Sequence, residues 1–336
     1  MKKISVQAGG KLYLAGEYAI LTPGQTAIIK NIPIYMTAQV REANQLQLKS
    51  DMFDYAVDMS ADKGYALIQE SVLTFALFLG KTVEALAPFE LSISGKLEKN
   101  GKKFGIGSSG SVTVLTIKAL AAFFDIPLTK DQLFKLAAYT LLKLGDNGSM
   151  GDIACIAYND LVAYTSFDRE AISDLILEKS LTELLAMDWG YEIVNLVPQL
   201  KADFLVGWTA QPALSSQMIK DLKSHLSVNF LSQTQKQVLA LKSALQAGDR
   251  DTLVHSLETV SDLLVSLSPA IYTDKLKALK EAAEGLEVVA KSSGAGGGDC
   301  GIAISLNPAH TTLLKQRWKD AEIDLLYQES WSTCQI

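Results

Sequence analysis

Phe104-Gly105-Ile106-Gly107-Ser108-Ser109-Gly110-Ser111 runs directly into an apolar helical stretch, Val112 to Phe124, and the reading of this junction decides the fold. Glycines without a Cβ let backbone approach an anion, three serines offer hydroxyls, and the first N–H groups of a helix have no acceptor of their own. The layout is that of a phosphate cradle. An ordinary helix start with serine caps is the plain alternative. Gly105-x-Gly107-x-x-Gly110 also matches the dinucleotide-binding pattern, but that loop should follow a buried strand. Here Lys96 to Lys103 reads Lys-Leu-Glu-Lys-Asn-Gly-Lys-Lys, a solvated basic turn, and Asp125 ends a helix before Ile126-Pro127 instead of closing a second strand. A Walker loop is excluded because no Gly-Lys-Ser/Thr follows the glycines.

The chain around this junction has 336 residues, 48% apolar and 20% charged, which suits an ordered globular protein of two domains. A net charge of -6 argues against a general nucleic-acid surface. Cys155, Cys300 and Cys334 are widely spaced, and His225, His255 and His310 do not cluster, so neither a zinc site nor a disulfide framework is implied. Lys11, Gly16 and Glu17 interrupt any leader-like core, and no apolar run is long enough to span a membrane. A cytoplasmic protein is expected, with its oligomeric state left open.

Upstream, Gly9-Gly10-Lys11-Leu12-Tyr13-Leu14-Ala15-Gly16-Glu17-Tyr18-Ala19-Ile20-Leu21 reads as two short apolar strands with a polar interruption. Burial of Lys11 and Glu17 is costly unless they pair with each other or with a ligand; an exposed strand end is the alternative. Strands are expected at Ala27–Ile29, Ile34–Val40, Leu46–Leu48 and Phe89–Ile93, and a helix at Tyr65–Leu79. The helix after the cradle is apolar on nearly every side, so it should lie between layers.

Downstream, a helix over 130–144 leads to Gly145-Asp146-Asn147-Gly148-Ser149-Met150-Gly151-Asp152, where Asp152 opens an apolar element and could reach an acceptor. Ser149-x-x-Asp152 also fits a capping box. A domain boundary is expected near 190–200, giving domains 1–195 and 196–336. A strand at Phe204–Trp208 precedes a polar turn, Thr209 to Ser216, and 217–284 reads as amphipathic helix broken near Gly248 and Pro269. Finally, Lys291-Ser292-Ser293-Gly294-Ala295-Gly296-Gly297-Gly298-Asp299-Cys300 joins two strands, and a close backbone approach explains its glycines better than a loose hairpin.

Taken together and in order, the Lys11–Glu17 segment, the Gly-Ser-Ser loop, Gly151-Asp152 and Gly294–Asp299 resemble the GHMP kinases across nearly the whole chain. Gly10-Lys11-Leu12-Tyr13-Leu14-Ala15-Gly16-Glu17-Tyr18, Lys103 before the cradle, and the Thr209 turn are similar to the branch whose acceptor is already a phosphate. Gly9-Gly10 and Gly110 depart from that branch's usual residues. The resemblance implies an α+β fold, with an N-terminal domain like ribosomal protein S5 domain 2 and a ferredoxin-like C-terminal domain. It implies transfer from ATP, with Mg²⁺, to 5-phosphomevalonate, giving 5-diphosphomevalonate in the mevalonate route to isoprenoids. Mevalonate as acceptor, or a silent ATP- or metabolite-binding sensor, are the rivals. It also implies roles: Lys11 and Asp152 catalytic; Lys103, Gly105, Ile106, Gly107, Ser108, Ser109, Gly110 and Ser111 on ATP; Ser109 on the metal. Glu17, Tyr18, Ser149, Ser215, Ser293, Gly294, Ala295 and Gly296 would line the acceptor pocket. Two unit charges 4 Å apart repel by roughly 4 kcal/mol at an effective dielectric near 20, and a helix N-terminus offers about half a charge. Lysines and the metal must supply the rest.

Overall fold

A single 13-residue strand, β1 (Lys3–Ala15), stands where two short ones are expected. Its first half alternates between exposed and half-buried positions, and its second half is buried on both faces, so the pattern changes although the strand does not break. β2 (Thr26–Glu42) likewise runs through the expected gap between two strands, because β1, β4 (Phe89–Ser94) and β7 (Leu161–Thr165) each pair with part of its length. The computed structural model describes residues 2–95, 97–146, 148–213 and 215–332, apart from the side chains of Ser215 and Ser216. Lys96, Asn147, Leu214 and Cys334 therefore lie outside the described residues.

The first sheet has the order β3-β4-β2-β7-β8, with β1 on β2, where β3 is Gln47–Ser50 and β8 is Glu192–Asn195. The basic turn is a two-residue hairpin, β5 (Glu98–Lys99) with β6 (Lys102–Lys103). Helices α1 (Ala66–Phe78), α2 (Ser108–Phe123), α3 (Lys130–Lys143) and α4 (Gly151–Tyr158) cover the sheet, followed by α5 (Arg169–Glu178) and α6 (Leu181–Ala186). α2 is buried on nearly all sides, as its composition requires. The pairing of β1, β2, β4, β7 and β8 is antiparallel, which removes the dinucleotide reading. Asp125 also lies on the surface, 2.5 Å from Lys2 Nζ.

The second sheet is antiparallel with order β10-β11-β9-β12, formed by β9 (Ala202–Trp208), β10 (Val288–Ser292), β11 (Cys300–Ser305) and β12 (Asp324–Trp331). Between its first two strands in chain order come α7 (Ser215–Leu222), α8 (Val228–Ala247), α9 (Arg250–Leu267) and α10 (Asp274–Glu281). α11 (Pro308–Asp320) connects β11 to β12, completing the ferredoxin-like βαββαβ arrangement. An extra break at 223–227 interrupts the helical region, where Ser227 caps α8 by accepting from the Phe230 amide. The two sheets divide between Asn195 and Ala202.

Candidate active site

The cradle begins where β6 ends. Lys103 is exposed, while its carbonyl accepts a 3.3 Å hydrogen bond from Trp208 Nε1 of the second sheet. Phe104 packs edge-on against Trp208, and the buried Cys300 thiol donates to the Phe104 carbonyl at 3.2 Å. Cys300 is thus a packing group, its thiol pushed far up by burial. Gly107 caps α2 in the left-handed region with φ 85°, turning the chain so that the amides of Ser108, Ser109 and Gly110 open the helix. Ser109 is exposed and Ser108 half-buried. Ser111 is fully buried, its hydroxyl shared between the carbonyls of Gly9 at 2.8 Å and Gly107 at 3.0 Å. It ties β1 to the cradle.

β1 and α4 bring the charged groups to this helix end. The Lys11 amide donates to the Ile106 carbonyl at 2.7 Å, which registers the strand against the cradle. A Cβ on Gly107 would lie 3.0 Å from Lys11 Cε and 3.6 Å from Asp152 Cβ. At Gly110 it would lie 2.5 Å from Asp152 Oδ2, so the absence of a side chain makes room for the carboxylate. Lys11, Asp152 and the start of α2 therefore form one site. Burial raises the Asp152 carboxyl above its ordinary range, and the nearby Lys11 ammonium opposes the shift. The capping box is not formed: the cap of α4 is Met150 at φ 64°, with no side-chain bond, and Asp152 Oδ1 accepts from the Ile153 amide at 2.9 Å. Ser149 Oγ instead meets the Tyr13 hydroxyl at 2.9 Å and the Gly151 amide at 3.2 Å.

The glycine loop after β10 meets the end of β1 and the residues that follow it. Glu17 pairs with neither Lys11 nor the open cleft. Its Oε1 lies 2.5 Å from Lys291 Nζ, with both side chains 1% exposed. Tyr18 donates to the Ala295 carbonyl at 2.5 Å, and Ser293 donates to the Tyr13 carbonyl at 2.9 Å. Glu17, Tyr18 and Ser293 thus each tie the segment around β1 to the glycine loop or to the strand before it. Three of the loop glycines are required by the protein itself: a Cβ at Gly296, Gly297 or Gly298 would overlap Ile271, Met218 or Gln211. Gly294 faces open space, and Ala295 is half-buried. Ser215 opens α7, but its side chain lies outside the described residues.

Three residues escaped the sequence reading. Lys291 was hidden at the end of an apolar strand, although an unpartnered Glu17 signalled that some cation had to meet it. Tyr13 lies in an apolar strand stretch with nothing in its local sequence to single it out. Asp299, at φ 54°, accepts from the Ala213 amide at 3.2 Å, and its carboxylate stands where a Cβ on Gly105 would be. Burial raises its carboxyl, opposed by the Ala213 amide and by Lys11 and Lys103. It joins the turn after β9, the glycine loop and the cradle.

Comparison with known proteins agrees with this geometry. The family description "GHMP kinases N terminal domain" matches residues 68–160, and "GHMP kinases C terminal" matches 241–323. The phosphomevalonate kinase of Streptomyces sp. strain CL190 is 32% identical, over 94% of each chain. The chain belongs to the GHMP kinases, in their phosphomevalonate kinase branch. The structure of Streptococcus pneumoniae phosphomevalonate kinase in complex with phosphomevalonate and AMPPNP is 50% identical, covers 97% of this chain and 99% of that one, and superposes with a TM-score of 0.95. Methanococcus jannaschii mevalonate kinase covers 98% of this GHMP kinase and 99% of its own chain at a TM-score of 0.72, but at 17% identity it shares the fold alone.

Proposed function

We propose that this GHMP kinase transfers the γ-phosphoryl group of ATP to 5-phosphomevalonate, giving ADP and 5-diphosphomevalonate. The observation that carries the reading is the 50% identity, along nearly the full length, to the pneumococcal enzyme bound to phosphomevalonate and AMPPNP. The site chemistry supports it. Two anionic reactants must meet, and the groups that converge here are the open amides of α2, the Lys11 ammonium and the exposed Lys103. Lys103 and the amides of 105–110 hold the nucleotide phosphates, and Lys11, alongside Gly107, neutralises charge between donor and acceptor. An acceptor phosphate is largely ionised near neutral pH, so Asp152 orients the acceptor more than it removes a proton.

Among the described residues no three His, Cys, Asp or Glu side chains form a metal-binding group. That suits Mg²⁺, which is usually held by one or two protein oxygens and by substrate phosphates. The exposed Ser109 hydroxyl is the protein donor we assign, and the ion when bound supplies positive charge at the phosphates. ADP release is measured with ATP and Mg²⁺, with phosphomevalonate and mevalonate offered separately. Turnover with phosphomevalonate and its loss on chelation are expected; turnover with mevalonate alone overturns the acceptor assignment.

A further inference from the structure

Residues 11 and 13 share one face of β1, and Tyr13 makes a contact with each part of the site. The Lys11 ammonium sits 4.7 Å from the Tyr13 ring centroid. The Tyr13 hydroxyl lies 2.9 Å from Ser149 Oγ, and its carbonyl accepts from Ser293 of the glycine loop. A Cβ on Gly151 would lie 2.6 Å from that hydroxyl, so the start of α4 is fitted to the tyrosine. Tyr13 is 8% exposed and burial pushes the phenol upward, so it stays neutral. Lys11 and Asp152 both flank Gly107, yet among the described residues Lys11 is in no ion pair. An ammonium and a carboxylate this near each other in a partly buried cleft attract strongly, and a direct pair would consume the charge that the phosphates need.

We propose that Tyr13 is a positioning residue for the phosphoryl transfer. Its ring face holds the Lys11 ammonium against the cradle and away from Asp152, and its hydroxyl fixes Ser149 at the entrance to α4. The cation is thereby presented to incoming phosphates, and the carboxylate keeps its own orientation. The inference rests on the reading of Lys11 as the phosphate-neutralising group.

Shape and electrostatics are separated by replacing Tyr13 with phenylalanine and then with its mono-, di- and trifluorinated forms, which weaken the ring's negative face at nearly constant size. kcat and KM are measured for both substrates with Mg²⁺, and AMPPNP affinity by calorimetry. Loss of a cation–π contact predicts a stepwise fall of about 2- to 30-fold across the fluorinated series, in kcat/KM and in AMPPNP affinity. Tyr13→Leu should fall at least as far as the trifluorinated form. Tyr13→Phe keeps the ring and should change mainly the acceptor KM, through Ser149. A flat fluorinated series, or equal behaviour of the Phe and Leu variants, overturns the proposal. If phosphomevalonate is not turned over at all, the proposed function fails, and the AMPPNP series still decides the role of Tyr13.

Discussion

Lys291→Met is the most demanding test of how the two domains are held together. The wild-type ammonium lies 2.5 Å from Glu17 Oε1 and 2.6 Å from the Ser292 carbonyl, and both members of the ion pair are 1% exposed. Among the described residues Glu17 Oε2 has no hydrogen-bond partner, so the second carboxylate oxygen has no compensating donor there when the lysine goes. Removing one partner of a buried pair costs about 3–5 kcal/mol, against a total stability on the order of 5–15 kcal/mol for a folded protein. Replacing both charges by apolar groups of similar size removes the uncompensated carboxylate, so Glu17→Leu with Lys291→Met should recover most of the loss. Urea unfolding followed by tryptophan fluorescence and circular dichroism measures both variants. A single variant that loses less than about 1 kcal/mol, or a double variant no more stable than the single one, refutes the assignment of an interdomain brace.

Two further perturbations address the site. Gly105→Ala should raise the ATP KM about tenfold, because the new Cβ overlaps the Asp299 carboxylate and alanine at φ 73° carries a cost of roughly 1–2 kcal/mol. Asp299→Gly in the same chain should restore part of the affinity, and steady-state kinetics that show no rescue would separate the two residues. Asp152→Asn should lower kcat by about 10²-fold or more, the usual scale for a positioned acid–base or orienting group. It should also raise stability at pH 7. A carboxyl whose folded pKa is raised costs stability as pH rises from its unfolded value through the folded one. The advantage of asparagine is therefore full above that window and vanishes as pH falls through it. Thermal unfolding between pH 4 and 7 reads the sign, and near-wild-type turnover would remove Asp152 from the chemistry.

Local chemistry carried most of the cradle. Three glycines, three serines and an all-round apolar helix made the Gly105–Ser111 junction legible, since each residue type acts there through its own backbone freedom or hydroxyl. The same holds for the amphipathic region before Gly248 and Pro269, where period and breakers are local signals. Strand continuity was not legible. Whether the chain breaks after Ile29 depends on β1, β4 and β7 all pairing with β2, and those partners are far apart in sequence. Residue type alone marked Lys11, Glu17 and Asp152 as charges needing partners or a ligand, because desolvation penalises any such group wherever it is buried. Tertiary structure decided the outcome: Glu17 found Lys291 from 274 positions away, while Lys11 was left over the Tyr13 ring beside the cradle. Coulomb attraction, ring quadrupoles and close packing act over a few ångströms in space, and only the folded chain determines which residues come that near.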